Sequence, residues 1–516
     1  MRILITGYLT YAHDNRPGYE NMLTIGYDIG SSSVKAVLFD AEKGTQLAGA
    51  YFPKQEMPIL ARQAGWAEQD PAMWWENLTL ATREILQASP GAAARVGAIG
   101  ISYQMHGLVI AGNGNKVLRP SIIWCDSRAT GIGKAAFDRL GHDRCLRSLL
   151  NSPGNFTASK LRWVKENEPA LFSAAQKYFL PGDYIAMRLT DRITTTITGL
   201  SEGMAWDFST NGIARFLLDD YGIGRSLVPE TVPTFGEQGR LTREAAGVLD
   251  LPPGIPVTYR AGDQPNNAFS LNVMEPGEVA ATAGTSGVVY AVSGSLSPDP
   301  GSRVNSFAHV NHTAAKTRIG VLLCINGCGI ANSWTRRTLG RAGTPYAEMN
   351  ALAARIPAGS EGLLVLPFGN GAERMFGDRD IGAQVLHGSY TVHTDAHMIR
   401  AVQEGVAYSF KYGMDLMTAF GMLPTVIRAG DANMFLSRVF CETLANTANV
   451  AIELYNTDGA QGAARGAALG AGFYSSATEA FGGLARTGVI EPDAARAGEF
   501  LDHYGTWNGA LSRALG

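Results

Sequence analysis

The sequence predicts an α/β protein made of two successive halves, each a mixed set of strands and helices. Three observations carry that prediction. Short apolar runs of strand length are interleaved with stretches of helical period along most of the chain. A strand–turn–strand unit with a small polar turn occurs twice, near residues 30 and 285, and each copy opens a further series of strands and helices. The 516 residues are 46% hydrophobic and 17% charged, which suits large cores and is too little charge for a disordered chain. At roughly 150 residues per domain, this length corresponds to about two to four domains.

Residues 1–21 are mixed and polar, with no basic end leading into an apolar core. They read as an extension, or as the product of a misplaced start codon, and not as a signal peptide. The first strand is expected at 23–27 and ends in Asp28-Ile29-Gly30-Ser31-Ser32-Ser33; strands at 34–40 and 45–53 follow. A helix then opens with Asp70 as N-cap and Pro71 at its first position, with Trp74, Leu78, Ala81 and Ile85 along one face. A strand at 96–102 comes next. The segment 140–250 has no clear period and reads as insertions on the first half. After a strand at 255–259 the pattern restarts: strand 279–283, the turn Gly284-Thr285-Ser286-Gly287, strand 288–292, strand 321–326 and a helix from about Ile330. Strand 363–367, a long amphipathic helix at 396–419, strand 425–429 and a helix at 434–448 complete the reading. The boundary is placed near Val273, giving domains 22–273 and 274–516.

The net charge, 43 − 46 = −3, offers nothing to a phosphate backbone, so no nucleic-acid partner is expected. No apolar stretch approaches the ~20 residues that cross a bilayer, and the protein is expected to be cytoplasmic, with no membrane partner. The five cysteines form no CxxC pair, which argues against zinc and a disulfide framework. Cys324 and Cys328 read as ordinary buried thiols. His393 and His397 have i, i+4 spacing but no third ligand nearby, and read as part of a helix start.

A nucleotide enzyme must surround phosphates with backbone N–H groups, and turns of small residues allow that approach. Neither GxxxxGK[ST] nor GxGxxG is present, which argues against a Walker-type kinase and a Rossmann dehydrogenase. The two hairpin turns, Gly30–Ser33 after Asp28 and Gly284–Gly287, are the alternative: facing one another they would grip one polyphosphate, with Asp28 holding hydrated magnesium. Each alone is equally a plain turn. Asp263, in Ala261-Gly262-Asp263-Gln264-Pro265, follows a strand at the junction of the halves. It suits a general base, and it suits a helix N-cap at least as well. Gln104-Met105-His106-Gly107 ends a strand and offers a histidine for a hydroxyl, or a structural one.

In combination and order, these motifs resemble the FGGY carbohydrate kinases, and among them the xylulokinases, from about Thr24 to Phe473. Asp28-Ile29-Gly30-Ser31 is similar to the family's first phosphate turn, and Gly65-Trp66-Ala67-Glu68-Gln69-Asp70-Pro71 to its W-x-E-Q-D-P approach. Gln104-Met105-His106-Gly107 resembles the sugar-site motif, and Trp124-Cys125-Asp126-Ser127-Arg128 the W-x-D-x-R loop. Phe156–Leu161, Leu180–Tyr184 and Gln403–Tyr408 resemble further family segments, Asp263-Gln264 the catalytic GDQ, and Gly284–Gly287 the GTSG turn. At the adenosine site, Gly430-Asp431-Ala432-Asn433, with Phe440 and Glu442 further on, departs from the xylulokinase pattern and resembles glycerol-kinase-like members.

The resemblance implies two ribonuclease H-like domains, of the actin and hexokinase type, around a cleft. It implies ATP and Mg2+ as cofactors and a small-molecule sugar as partner, with a homodimer left open. Asp263 and Asp28 would be catalytic, with Asp28 reaching the metal through water. Gln104, Met105, His106, Trp124, Asp263 and Gln264 would bind sugar, and Gly30, Ser31, Ser32, Ser33, Gly284, Thr285, Ser286, Gly430 and Asn433 the nucleotide. The implied reaction is ATP-dependent phosphorylation of a ketopentose, D-xylulose to D-xylulose 5-phosphate. The alternatives are another substrate of the same family (ribulose, glycerol, gluconate) and a non-enzymatic ATP-responsive sugar-binding module.

Overall fold

The structure is a computed structural model that describes residues 21–377 and 379–516. Of the expected extension at 1–21, residues 1–20 lie outside the described residues. Among the described residues no helix is long and apolar enough to cross a membrane.

The first hairpin turns on Gly30, whose N–H donates to Ser33 O at 3.0 Å. It pairs Leu23–Ile29 with Val34–Asp40 in antiparallel register, Asp28 opposite Lys35. Asp28 therefore lies within the strand, one residue inside its end, where the apolar run expected as strand stops at residue 27. Thr45–Phe52 adds antiparallel on the outer side. Val96–Tyr103 and then Pro256–Gly262 lie parallel on the inner side, with Phe235–Arg240 antiparallel at the far edge. The second sheet repeats this order. Ile319–Ile325, Gly287–Ser293 and Glu278–Ala283 are antiparallel neighbours, and Val426–Gly430 and Ile452–Tyr455 then run parallel. Asn305–Ala308 and Arg486–Ile490 close its edges. The weak internal repeat of the sequence is thus a repeat of topology.

Helices cover the sheets where the sequence gives them an apolar face. Pro71–Gln87 starts as its residues dictate: the Asp70 side chain accepts from Ala72 N at 2.9 Å, and Trp74, Leu78, Ala81 and Ile85 are buried. The long helix Asp395–Thr418 buries most of its length in the second half. The single helix expected over 434–448 is instead two pieces, a short turn Asn433–Leu436 and the helix Arg438–Ala448. Ser437 separates them, capping the second by accepting from Phe440 N at 3.3 Å.

The helix Gly459–Gly470, which follows strand Ile452–Tyr455 of the second sheet, lies on the first sheet. Close approach is what its Gly and Ala composition permits. A Cβ on Gly26 would sit 2.0 Å from Ala460 O, and one on Gly100 would sit 2.0 Å from Ala463 O. Thr24 Oγ1 donates to Ala464 O at 2.9 Å and Thr258 Oγ1 to Ala467 O at 2.7 Å, satisfying the strand hydroxyls under the helix. Against this helix packs Asp263–Ser270, which carries the chain from the first sheet into the second. Asn266 Nδ2 donates to Gly459 O at 2.8 Å and Ser270 Oγ to Asp458 O at 2.7 Å. The two halves therefore meet through a pair of crossing helices, one following Pro256–Gly262 of the first sheet and the other Ile452–Tyr455 of the second.

Candidate active site

Asp28 and Asp263 lie at the ends of parallel strands of the first sheet, separated by Val96–Tyr103. Strand Pro256–Gly262 runs directly into the helix Asp263–Ser270, with no loop between them. The N-cap is Gly262, which has no side chain to cap with, and Asp263 is the first helical residue. The capping role weighed for Asp263 is therefore not the one it fills. Its carboxyl is pushed up to about 7 by burial first and by the charge of Asp28 second, while hydrogen bonds from Gln264 oppose the shift. Asp28 is also pushed up by burial, against the pull of Lys35 and the 2.9 Å hydrogen bond from Ser102 Oγ to its Oδ1. Gly459 closes over this spot. A Cβ there would stand 2.8 Å from Asp28 Oδ2 and 3.0 Å from Asn267 Oδ1.

The Gln104–Gly107 loop continues the strand between them. Met105 is buried against Gly262, whose Cβ position would lie 2.6 Å from Met105 Cγ and 3.2 Å from Glu202 Oε2. His106 adopts a left-handed backbone (φ 61°) that delivers its ring between Phe156 (centroids 4.7 Å, edge-on) and Phe307 (5.1 Å). Nδ1 lies 3.1 Å from Glu202 O. A carbonyl oxygen only accepts, so Nδ1 carries the hydrogen and Nε2 presents a lone pair. Burial, then the charge of Lys160, pushes this imidazole down to about 3, so it is neutral across the physiological range.

The Gly30–Ser33 turn joins this group. Trp124, half exposed, donates from Nε1 to Ser31 Oγ at 3.3 Å, and Gln69 Nε2 donates to Ser31 O at 2.7 Å. The second turn is anchored elsewhere. Gly329 N donates to Gly284 O at 2.8 Å and Ile330 N to Thr285 O at 3.1 Å, tying it to the start of the helix Gly329–Thr338. Thr285 and Ser286 are exposed. Asn433, with φ 56°, reaches it: its Nδ2 lies 3.8 Å from where a Gly284 Cβ would be. Gly430 ends the neighbouring strand, and the following Asp431 N donates to Tyr455 O at 2.9 Å. Gly284–Ser286, Gly430 and Asn433 thus form one cluster on the second sheet, and Asp28, Asp263, Gln104–His106, Ser31 and Trp124 form another on the first. Phe440, the departure noted at the adenosine segment, packs edge-on to Phe435 and Phe410 and belongs to the core.

A divalent cation fits the first cluster by the chemistry of its donors. Asp28 and Asp263 each have their pKa raised partly by a neighbouring carboxylate, a repulsion that a bound cation relieves. Other residues around the Gln104–Gly107 loop gave no functional signal in the sequence. Glu202 is buried beside His106 and Tyr103, its pKa pushed well up by burial. Phe307 reaches His106 from the second half, where no local pattern marks it. Lys160, within the FTASKL segment, is fully buried and donates to His106 O at 2.9 Å and Ile123 O at 3.0 Å, which fixes the loop's backbone. Burial pushes it down to about 8.

Among the described residues no cluster of His, Cys, Asp and Glu has the makings of an all-protein metal site. His393 and His397 take part in a helix start: His397 Nδ1 accepts from Thr394 N at 3.1 Å, and its Nε2 meets Glu361 Oε2 at 2.7 Å. The five cysteines form no disulfide; Cys328 is buried and Cys324 half-buried.

Comparison with known proteins agrees with this geometry. Residues 23–270 match the N-terminal domain of the FGGY family of carbohydrate kinases, and residues 279–474 its C-terminal domain. The xylulose kinase of Klebsiella pneumoniae is 30% identical over 449 residues, covering 86% of this chain and 88% of that protein. That of Escherichia coli K12 is 29% identical over 447 residues, with the same coverage of both. The crystal structure of xylulose kinase from Rhodospirillum rubrum superposes with a TM-score of 0.85 at 26% identity, over 95% of this chain and 98% of that one. The repeated sheets, the crossing helices and these matches together make the chain a two-domain carbohydrate kinase of the FGGY family.

Proposed function

We propose that this kinase transfers the γ-phosphoryl group of ATP to a ketopentose, converting D-xylulose to D-xylulose 5-phosphate, with Asp263 as the general base. One observation carries the reading. A half-buried carboxyl poised at about 7 stands at a strand end beside the Met105–His106 loop, where it can both accept a proton near neutral pH and face a bound sugar. The relatives from Klebsiella pneumoniae and Escherichia coli are xylulose kinases, which supports the choice of sugar.

In this reading the sugar lies on the Gln104–His106 loop. The lone pair of His106 Nε2 accepts one hydroxyl, and the buried Oε1 of Gln104, which has no protein donor among the described residues, accepts another. Asp263 takes the proton of the terminal hydroxyl as its oxygen bonds to the γ-phosphorus. The bond from that phosphorus to the β,γ-bridging oxygen breaks, and ADP leaves. The backbone N–H groups of Gly30–Ser33 and Gly284–Ser286 hold the phosphates, and Gly430 and Asn433 border the nucleoside. Asp28, through water, would hold Mg2+, which supplies charge neutralisation on the phosphates. A cleft closed over both substrates keeps water from the phosphoryl group.

The test is ADP release over a panel of ketoses, polyols and aldonates, followed by Asp263→Asn on the best substrate. D-xylulose should give the highest kcat/KM. The variant should keep its melting temperature and both ligand affinities while turnover falls by about 10²–10⁴-fold, the range for losing a general base. A better substrate of another class would replace the sugar assignment. More than about a tenth of wild-type turnover in Asp263→Asn would remove the base.

A further inference from the structure

Gln69 is fully buried and makes every hydrogen bond an amide side chain commonly makes, yet nothing in the proposed chemistry uses it. Its orientation follows from its partners. Trp74 Nε1 can only donate, and it lies 3.1 Å from Gln69 Oε1, so the amide nitrogen must face the other way. There Nε2 donates to Ser31 O at 2.7 Å, in the middle of the first phosphate turn, and more weakly to Pro58 O at 3.4 Å. The same Oε1 receives Gln104 Nε2 at 3.4 Å. That contact fixes the second amide in turn, leaving Gln104 Oε1 buried and without a protein donor among the described residues. The backbone adds a parallel tie, with Gln104 N donating to Ile29 O at 2.8 Å. An uninterrupted chain of hydrogen bonds therefore runs from the open acceptor of the sugar loop to the carbonyl that shapes the phosphate turn.

We propose that Gln69 is a positioning residue that couples the two substrate sites. A sugar hydroxyl donating to Gln104 Oε1 steadies Gln104, Gln104 steadies Gln69, and Gln69 holds Ser31 so that the turn receives phosphate. The proposal rests on the reading of the Gln104–His106 loop as the sugar site and of Gly30–Ser33 as a phosphate turn. A purely structural Gln69 would hold the start of the helix Pro71–Gln87 against the sheet, and its loss would lower stability without linking the two ligands. The physical content of the proposal is a coupling free energy, which is reciprocal by linkage: whatever factor the sugar adds to nucleotide affinity, the nucleotide adds to sugar affinity.

Calorimetric titration measures that factor directly. The probe is a non-hydrolysable ATP analogue with Mg2+, titrated with and without the sugar that the wild-type enzyme phosphorylates best. In the wild type the sugar should tighten analogue binding at least fivefold. In Gln69→Leu each ligand alone should bind within about threefold of wild type, and the sugar-dependent factor should fall below two. Gln69→Glu is the second variant. It keeps the shape and the acceptor for Trp74 and Gln104 but loses the donor to Ser31, so it should lose the factor too. A variant that keeps the wild-type factor, or a wild type without one, overturns the proposal. So does a loss of both affinities in step with a lowered melting temperature in both variants. Failure of the reading beneath it looks different, since the wild type would then phosphorylate no sugar in the panel.

Discussion

At the scale of single residues, the pair Asp28 and Asp263 sets the expected pH dependence. Asp263 is raised to about 7, so its proton-accepting form is lost as pH falls through that value. The kcat/KM of the enzyme should therefore fall about tenfold per unit below pH 7. Asp28→Asn removes the like charge that ranks second among the causes of the shift, so the residual activity of that variant should show its acid limb at lower pH. His106 gives the opposite expectation. Its imidazole, pushed down to about 3, is neutral throughout, so His106→Gln should leave the limb where it is. That variant should instead raise the sugar KM far more than the ATP KM, because a ring-held acceptor for a sugar hydroxyl has been exchanged for a flexible amide. A limb that moved with His106→Gln would assign the titration to the wrong residue, and equal damage to both constants would make His106 structural.

At the scale of elements, glycines distinguish packing from flexibility. Gly100 lies beneath the helix Gly459–Gly470, where a methyl would meet the backbone carbonyl of Ala463, not a side chain that can move aside. Gly100→Ala should cost at least about 3 kcal/mol, the upper range for overpacking. Gly247, exposed in the helix Arg243–Leu249 with nothing near its Cβ position, is the control, and Gly247→Ala should stabilise by about 0.4–1 kcal/mol. Urea titration of the two variants decides this, and a Gly100→Ala as stable as the parent would refute the close contact. The same element marks where the sequence became hard to read. Pro71–Gln87 is legible because its cap, its proline and its apolar face are all local. The hairpins at Gly30–Ser33 and Gly284–Gly287 are legible because small turn residues stand between two strands. Gly459–Gly470 has no stripe of large apolar residues, since most of what it buries is Gly and Ala, and glycine is a poor helix former. The start of Asp263–Ser270 was hidden for a related reason. Strand passes into helix without a turn, and Pro265, tolerated in a first turn, reads from sequence as a loop. Phe307 and Glu202 were out of reach because only the folded chain brings them to His106.

At the scale of the whole molecule, the two halves recognised by period and motif are not two separable bodies. The first sheet has its own hairpin, its own Gln104–Gly107 loop and its own covering helix, but the face above Gly26 and Gly100 is covered by residues 459–470 of the second half. Thr24 and Thr258 donate into that helix, and Arg465, fully buried within it, donates to Gly44 O and Ala480 O between the rings of Phe39 and Phe481. At the other side of the junction, Asn151 accepts from Ser306 N at 2.8 Å and donates to Ser306 O at 2.5 Å, and Ala308 N donates to Ser201 Oγ at 2.9 Å. A fragment of residues 22–273 would contain a complete first sheet and the Gln104–Gly107 loop. It would also expose a face shaped for backbone contact, which no rearrangement of its own side chains fills, and leave two strand hydroxyls without acceptors. Such a fragment should lack near-UV circular dichroism and a cooperative urea transition, whereas the full chain should unfold with a sharp one. If the core that the first half builds on the opposite face of its sheet sufficed, the fragment would instead unfold cooperatively and bind the sugar. Either result in the fragment would show that residues 459–470 are a hinge laid on a finished domain and not part of its core.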